Sequence, residues 1–207
     1  MSVGRLVSRT VIGGLFIGHG TQKLFGWFGG PGPAGTAAMM ESLELRPGKV
    51  HAILGGVTET VGGSLLVAGF ATPLASAALT GVMTTAIGTV HLPNGPWAAN
   101  GGWEYNAVMI GSLTALAETG PGDLSLDHVL GTERSGPGWA LAALATGVGS
   151  AVLTMKVGRR GKPSLPPATD TSAATAAQGE TAGDPTTSRS AGSGQGGPPG
   201  SGTLGGA

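Results

Sequence analysis

Four polar side chains stand inside apolar stretches of the sequence, where an ionisable group suggests chemistry. His19, Gln22 and Lys23 are spaced three and four residues apart, which places them along one stripe of a helix. Glu59 lies in the middle of a second apolar run. Because an unpaired charge inside a membrane is costly, such residues are candidates for function by default. We predict a buried polar cluster in which Glu59 is partnered by His19, Lys23 or both.

Glu59 and His19 lie at similar depths in the membrane if the end of the first helix, at Phe28, and the start of the second, at His51, lie on the same membrane face. Glu59 would lie roughly 12 Å, and His19 roughly 13 Å, below that face at 1.5 Å per residue. One interpretation is that the ion pair fixes the register of two helices. The other is a head-group pocket for a quinone or a similar carbonyl ligand, with His19 or Lys23 donating to the carbonyl and Glu59 carrying protons. The residues alone favour neither, and further hydroxyls are expected from Thr84, Thr85 and Ser112.

Other site chemistries are excluded or disfavoured. The sequence has no Cys, which excludes disulfides, Cys–metal sites and thiol chemistry, and its formal charge of +0 offers no basic face to nucleic acid. His19, His51 and His91 are expected on one side, but their spacing matches no metal motif, so we predict no metal. The Gly-rich segment after Phe25 lacks the Lys-Ser/Thr pair of a phosphate loop.

The elements that must position the cluster are long apolar helices. A membrane span needs about 20 apolar residues, and the sequence holds five candidate runs, at 6–28, 50–70, 74–92, 105–117 and 139–157. The run 105–117 is short, but Gly-Gly-Trp-Glu-Tyr before it and Glu118 after it mark interfaces, which favours a span. The first run is predicted to be a retained helix rather than a secretory signal, because Arg9 interrupts it and it continues through His19 and Lys23.

Small and aromatic residues support a helical bundle. Gly14-x-x-x-Gly18 has the spacing that lets helix backbones approach closely. Similar packing is expected in the next two helices, from Gly55, Gly56, Gly62, Gly63, Ala77, Gly81 and Gly88. The Trp residues and Tyr105 fall at predicted helix ends, as in an aromatic belt. Arg9 is expected to snorkel to the interface.

Alternating spans place the loop after the first helix and the loop between the third and fourth on the same side. Lys and Arg set the orientation. If the C-terminus is cytoplasmic, six of them face inward and three, Arg5, Arg9 and Arg134, face outward; the opposite arrangement reverses this ratio. The remaining segment, 161–207, has only Leu165 and Leu204 as large hydrophobic residues, and we predict a disordered low-complexity tail.

Several motifs in order resemble the DoxX family of membrane proteins. They are His19-Gly-Thr-Gln-Lys-Leu-Phe-Gly-Trp-Phe-Gly-Gly-Pro-Gly32, Glu59 followed by Gly62-Gly63, Asn100-Gly-Gly-Trp-Glu-Tyr-Asn106, and Gly120-Pro-Gly-Asp-Leu-Ser-Leu-Asp127. The resemblance covers residues 5–131 and implies a bundle of four transmembrane helices, with 139–157 as an additional fifth. It also adds Trp103, Glu104, Tyr105 and Asn106 to the candidate pocket residues. Some relatives are subunits of thiosulfate:quinone oxidoreductases. Others are associated with complexes that handle thiol and oxidative stress, alongside superoxide dismutase and a sulfurtransferase.

The sequence therefore predicts an all-α, multi-pass plasma-membrane protein linked to redox chemistry. It would be at most a subunit of a quinone-linked oxidoreductase, binding quinone or anchoring a soluble oxidoreductase or sulfurtransferase, with no covalently bound cofactor. Its predicted partners also include the lipid bilayer and, as a further candidate, a second copy of the chain. The alternatives are a non-enzymatic membrane scaffold and a small-molecule transporter, although we find no convincing inverted repeat.

Overall fold

The chain folds as a bundle of helices in a computed structural model that describes residues 3–162. Within this range there are no strands, so the all-α prediction is confirmed. From residue 163 on, the predicted tail lies outside the described residues. The helices are α1 Val3–Phe25, α2 Gly32–Ser42, α3 Gly48–Ala68, α4 Thr72–Ala86, α5 Glu104–Thr119, α6 Leu126–Leu130 and α7 Pro137–Arg160.

The helices pack around one central hydrophobic core. α1 packs mainly on α3, α2 covers the start of α3, and α4 packs on α3, α5 and α7. Four fully buried side chains, one from each of four helices, mark the centre: Phe16, Leu66, Leu79 and Leu113. The predicted additional helix, α7, lies against both α4 and α5 and is part of the same bundle.

Three of the described helices are long and apolar enough to cross a membrane by length and composition: Gly48–Ala68, Thr72–Asn94 and Pro137–Arg160. The second is α4 continued through a π-helical turn, Ile87–His91, and a 3-10 turn, Leu92–Asn94. α1 has 23 residues but carries charges along its length, and α5 has 16 residues, so the predicted spans at 6–28 and 105–117 remain predictions. The outer face of α3 is apolar and exposed, as contact with lipid requires (Ile53, Leu54, Val57 and Val61).

The connection between α1 and α3 contains a helix that the sequence analysis did not predict. α1 ends at Phe25, three residues earlier than expected, because Gly26 adopts a left-handed conformation with φ 72°. α2 then begins beside a proline and has 11 residues, about half the length of a membrane span. Thr36 and Ala37 are buried, and Gly48 of α3 approaches the Ala37 carbonyl so closely that a Cβ there would lie within 2.4 Å.

Glycines bring α1 and α3 into backbone contact, at the predicted Gly56 and Gly63 of α3 but at positions of α1 other than those predicted. A Cβ on Gly13 would lie 2.6 Å from the Gly63 carbonyl oxygen, and one on Gly20 would lie 2.7 Å from the Gly56 carbonyl oxygen. A Cβ on Gly14 or Gly18 would have no neighbour within 4 Å. The prediction that Gly14-x-x-x-Gly18 packs the bundle is therefore wrong. The packing stripe has a seven-residue spacing on both helices, 13 with 20 and 56 with 63.

The predicted small residues of α4 do pack, and their partner is α7. A Cβ on Gly81 would lie 2.5 Å from Ser150 Oγ, and one on Gly88 would lie 2.7 Å from Met155 Sδ. Conversely, a Cβ on Gly147 of α7 would lie 2.7 Å from the Ala77 carbonyl oxygen. Close approach between these two segments therefore explains Gly81, Gly88 and Gly147.

The bundle has two distinct ends. The loop end comprises segments 26–47 and 92–103, and the Arg9 end comprises segments 69–71 and 120–136. α1 and α3 are antiparallel, and α3 and α4 are joined by a three-residue turn, so the loop after α1 and the loop after α4 share one end, as predicted. α7 also finishes there, since Arg46 N–H donates to the Gly158 carbonyl at 3.1 Å.

A buried carboxylate holds the Arg9 end together. Asp127 Oδ2 accepts from Thr72 N–H at 3.3 Å at the start of α4, and Oδ1 accepts from the Thr132 hydroxyl at 2.9 Å. We expect Asp127→Ala to lower the free energy of unfolding by about 1–2 kcal/mol, because a helix cap and a second hydrogen bond are lost together. Unfolding of the micelle-solubilised protein in a denaturing detergent measures this. The exposed Glu118→Ala serves as the control and should stay within about 0.5 kcal/mol of the wild type.

Candidate functional site

Lys23 and Glu59 form an ion pair between α1 and α3. Lys23 Nζ contacts both carboxylate oxygens of Glu59 and lies 2.5 Å from Oε1. Glu59 is 2% exposed, whereas the Lys23 side chain is 20% exposed. The prediction that Glu59 is partnered by one of the basic residues of α1 is therefore confirmed for Lys23.

The helix register explains why Lys23 rather than a nearer residue reaches Glu59. Gly13 faces Gly63 and Gly20 faces Gly56, so residues of the two antiparallel helices lie at the same level when their numbers add to 76. Lys23 therefore lies level with residue 53. This leaves six residues, or roughly 9 Å along the axis, between the levels of Lys23 and Glu59. Side chains of a helix lean toward its N-terminus. In an antiparallel pair these two side chains therefore lean toward each other and close the gap.

Glu59 lies on the face of α3 that is turned into the bundle. The buried residues of this helix follow a helical stripe that also holds Ala52, Gly56, Gly63 and Leu66. A carboxylate at such a position needs a counter-charge, because transfer of an unpaired ion out of water costs several kcal/mol. Lys23 supplies the charge, and its side chain as a whole is only partly buried.

The other α1 candidates surround the pair without joining it. His19 is exposed and makes none of the described hydrogen bonds to the pair. Gln22 is half-buried and packs under the turn after α1, where a Cβ on Gly30 would lie 2.5 Å from the Gln22 Cβ. Of the three α1 candidates, only Lys23 thus contacts Glu59 directly in the described hydrogen bonds.

The candidates before and within α5 form a separate group. Trp103 and Glu104 are half-buried at the start of the helix, and Tyr105 is 44% exposed. Asn106 is buried, and its Nδ2 donates to Met83 Sδ of α4 at 3.5 Å. Among the described hydrogen bonds, these residues connect α5 to α4 and to the loop end rather than to the ion pair.

The predicted hydroxyls do not supplement the pair. Thr85 Oγ1 donates to the Gly81 carbonyl and Ser112 Oγ to the Val108 carbonyl, each at 2.8 Å and each within its own helix. Thr84 Oγ1 is buried with no hydrogen-bond partner among the described residues. Self-satisfaction of this kind is common for Ser and Thr in helices.

The three histidines of the predicted shared side do not converge. His91 Nδ1 donates to the Gly101 carbonyl at 2.7 Å and so ties the end of the α4 helix to the following loop. His51 lies in the first turn of α3. Within residues 3–162, no three His, Asp or Glu side chains come together in an arrangement that could hold a metal ion.

Arg9 has a role that the sequence analysis missed. It was predicted to snorkel, but it is 3% exposed and donates from Nη2 to the Leu124 carbonyl. The segment after α5 folds back over the start of α1 and covers the guanidinium, which local sequence does not reveal. The one sequence signal is Gly69, whose position leaves no room for a side chain: a Cβ there would overlap Arg9 Nη1 and lie 2.5 Å from Ser125 Cβ.

Part of the chain matches a known protein family. The DoxX family model matches residues 4–92, which run from α1 to the π-helical end of α4 and include both Lys23 and Glu59. Neither a curated protein nor a solved structure matches the chain.

Proposed function

The chain belongs to the DoxX family through residues 4–92, and from that premise we propose that it is the membrane subunit of a quinone-linked redox system. The observation that carries the proposal is the Lys23–Glu59 pair, a buried carboxylate held by a partly exposed lysine side chain between two helices of the family domain. The protein would bind the quinone head group at this pair and anchor a soluble oxidoreductase that supplies the electrons.

The two side chains have complementary chemistry for a quinone. The Lys23 ammonium has three N–H donors and can donate to a carbonyl oxygen while it keeps one donor on Glu59. Charge-assisted hydrogen bonds of this type are among the strongest in proteins. Glu59 can accept and return a proton, and so accompany the uptake of protons that reduction of a quinone requires. His19, exposed beside the pair, can carry protons between Glu59 and the surface.

The distribution of basic residues supports an orientation in the plasma membrane. The loop end carries Arg46, Lys49, Lys156, Arg159, Arg160 and Lys162, whereas Arg5, Arg9 and Arg134 lie toward the other end. Since Lys and Arg favour the cytoplasmic side, we place the loop end in the cytoplasm. A soluble partner would then reach the pair from the cytoplasmic face.

A second candidate function is a non-enzymatic scaffold, and one observation favours it. Lys23 contacts both oxygens of Glu59, so the two side chains satisfy each other without a ligand, as in a pair whose role is to lock α1 against α3. On this account the protein organises partners in the membrane and binds no small ligand at the pair.

Mass spectrometry of the protein extracted gently from its own membrane tests the proposal. We expect a quinone to co-purify with the wild type and to be lost from Glu59→Gln. Tyr105→Phe is a matched control, because it removes one polar atom from an exposed side chain away from the pair. Recovery of a stoichiometric protein partner with no quinone would favour the scaffold. An equal quinone content in the wild type and in Glu59→Gln would contradict binding at the pair.

A further inference from the structure

Arg9 carries unsatisfied charge at the end of the bundle opposite to the Lys23–Glu59 pair. Its guanidinium has five N–H donors and stays charged at any ordinary pH. The contact of Nη2 with the Leu124 carbonyl uses one of these nitrogens, whereas Nε and Nη1 are buried without a hydrogen-bond partner among the described residues. None of the ion pairs found in residues 3–162 includes Arg9. A buried cation in this state needs an anion, since a lone carbonyl does not neutralise it.

Arg9 is one of the residues that line an open groove on the surface of the bundle. The groove has a volume of about 550 Å³ and is bounded by the end of α3, the segment before α6, and α6 itself. A much smaller pocket of about 10 Å³ is also lined by Arg9, together with Leu6 and Pro121. Arg9 thus lines a groove that opens outward.

The walls of the groove are mostly apolar. Val67 and Ala68 of α3 form one side, and Leu124, Leu126 and Val129 form the other. The last three are large hydrophobic side chains with exposures of 53%, 48% and 77%. A ligand that fits has an anionic head for Arg9 and a hydrocarbon part for these walls.

We propose that the Arg9 groove binds an anionic amphiphile, a molecule with a phosphate or carboxylate head and an acyl chain. The head would neutralise the Arg9 guanidinium from the groove, as oxyanions pair with arginine, and the chain would lie along Leu124, Leu126 and Val129. Both an anionic phospholipid and a free fatty acid have this chemistry. Asp123 lines the same groove, and its charge opposes the anion. The groove is remote from Lys23 and Glu59 along α1, so this proposal stands or falls independently of quinone binding.

Thermal unfolding of the detergent-purified full chain tests the site. The added probes are dioleoylphosphatidylglycerol, oleate and, as the neutral reference, dioleoylphosphatidylcholine. We expect at least one anionic probe to stabilise the wild type at about tenfold lower concentration than the neutral lipid, and Arg9→Gln to abolish that preference. Preference for phosphatidylglycerol would identify a phospholipid site, and preference for oleate a fatty-acid site.

A second pair of variants keeps the test decisive if Arg9→Gln does not fold. Val129→Glu places a negative charge on the exposed wall without touching Arg9, and should weaken binding of the anionic probe about tenfold. Val129→Gln is its uncharged control and should bind as the wild type does, while Asp123→Asn should bind the anionic probe more tightly. The proposal is overturned if the wild type shows no preference for either anion, or if the preference is unchanged in both Arg9→Gln and Val129→Glu.

Discussion

Replacing Lys23 with Met or Glu59 with Leu, one at a time, should lower the free energy of unfolding by about 3 kcal/mol or more. Each change leaves the other charge buried or half-buried between α1 and α3 without a partner, which is the costly way to break an interior ion pair. Glu59 is 2% exposed and cannot recover its hydration without opening the interface. Reversible unfolding in mixed micelles with increasing denaturing detergent measures the change.

The double variant Lys23→Met/Glu59→Leu is the control for this prediction. Apolar side chains of similar volume often replace a buried ion pair at little or no cost. We therefore expect the double variant to recover most of the stability that either change alone removes. Additive losses in the double variant would show that the two side chains act separately and would contradict the pairing.

Widening the α1–α3 contact should have an effect of comparable size. Gly20→Val places three carbons where even a Cβ would lie 2.7 Å from both the Gly56 carbonyl oxygen and Thr60 N. Because the obstacle is backbone on a neighbouring helix, no side-chain rotation can relieve it, and α1 must move away from α3. We expect a loss of about 3 kcal/mol or failure to assemble the bundle, at the upper end of overpacking effects.

Gly18→Val is the matched control on the same helix. A Cβ at this position would meet nothing within 4 Å, and valine is a better helix former than glycine. Its stability should stay within about 0.5 kcal/mol of the wild type or rise slightly. The same detergent unfolding measurement serves both variants. A larger loss for Gly18→Val than for Gly20→Val would mean that the helix faces are assigned the wrong way round.

The fold class, and the need of Glu59 for a basic partner on α1, could be predicted from the sequence because both depend on local patterns. Long apolar runs indicate membrane helices, and a Glu inside such a run requires a partner, of which α1 offers few. The choice of Lys23 over His19 could not be predicted, since it depends on the register between two helices. That register is set by Gly13, Gly20, Gly56 and Gly63, whose seven-residue spacing becomes meaningful only when the two helices are paired.

Other features were missed because they depend on contacts between distant segments. Arg9 near the start of an apolar helix is typical of a snorkelling side chain, yet Leu124 and Ser125 arrive from more than 100 residues away to bury it. α2 is short, and its sequence has no amphipathic pattern. It packs because Thr36 and Ala37 are small enough to let it lie against α3. In both cases, local sequence describes the segment but not what covers it.

Quinone binding by a stability-matched pair of proteins tests the central claim most directly. A short-chain ubiquinone analogue is titrated into nanodiscs that hold either the wild type or Lys23→Met/Glu59→Leu, and binding is measured by equilibrium fluorescence quenching. If Lys23 and Glu59 hold the head group, affinity should fall at least tenfold in the double variant, the equivalent of one lost charge-assisted hydrogen bond, although its bundle is intact. Equal affinities in two equally stable proteins would contradict the account and leave the pair as a lock between α1 and α3.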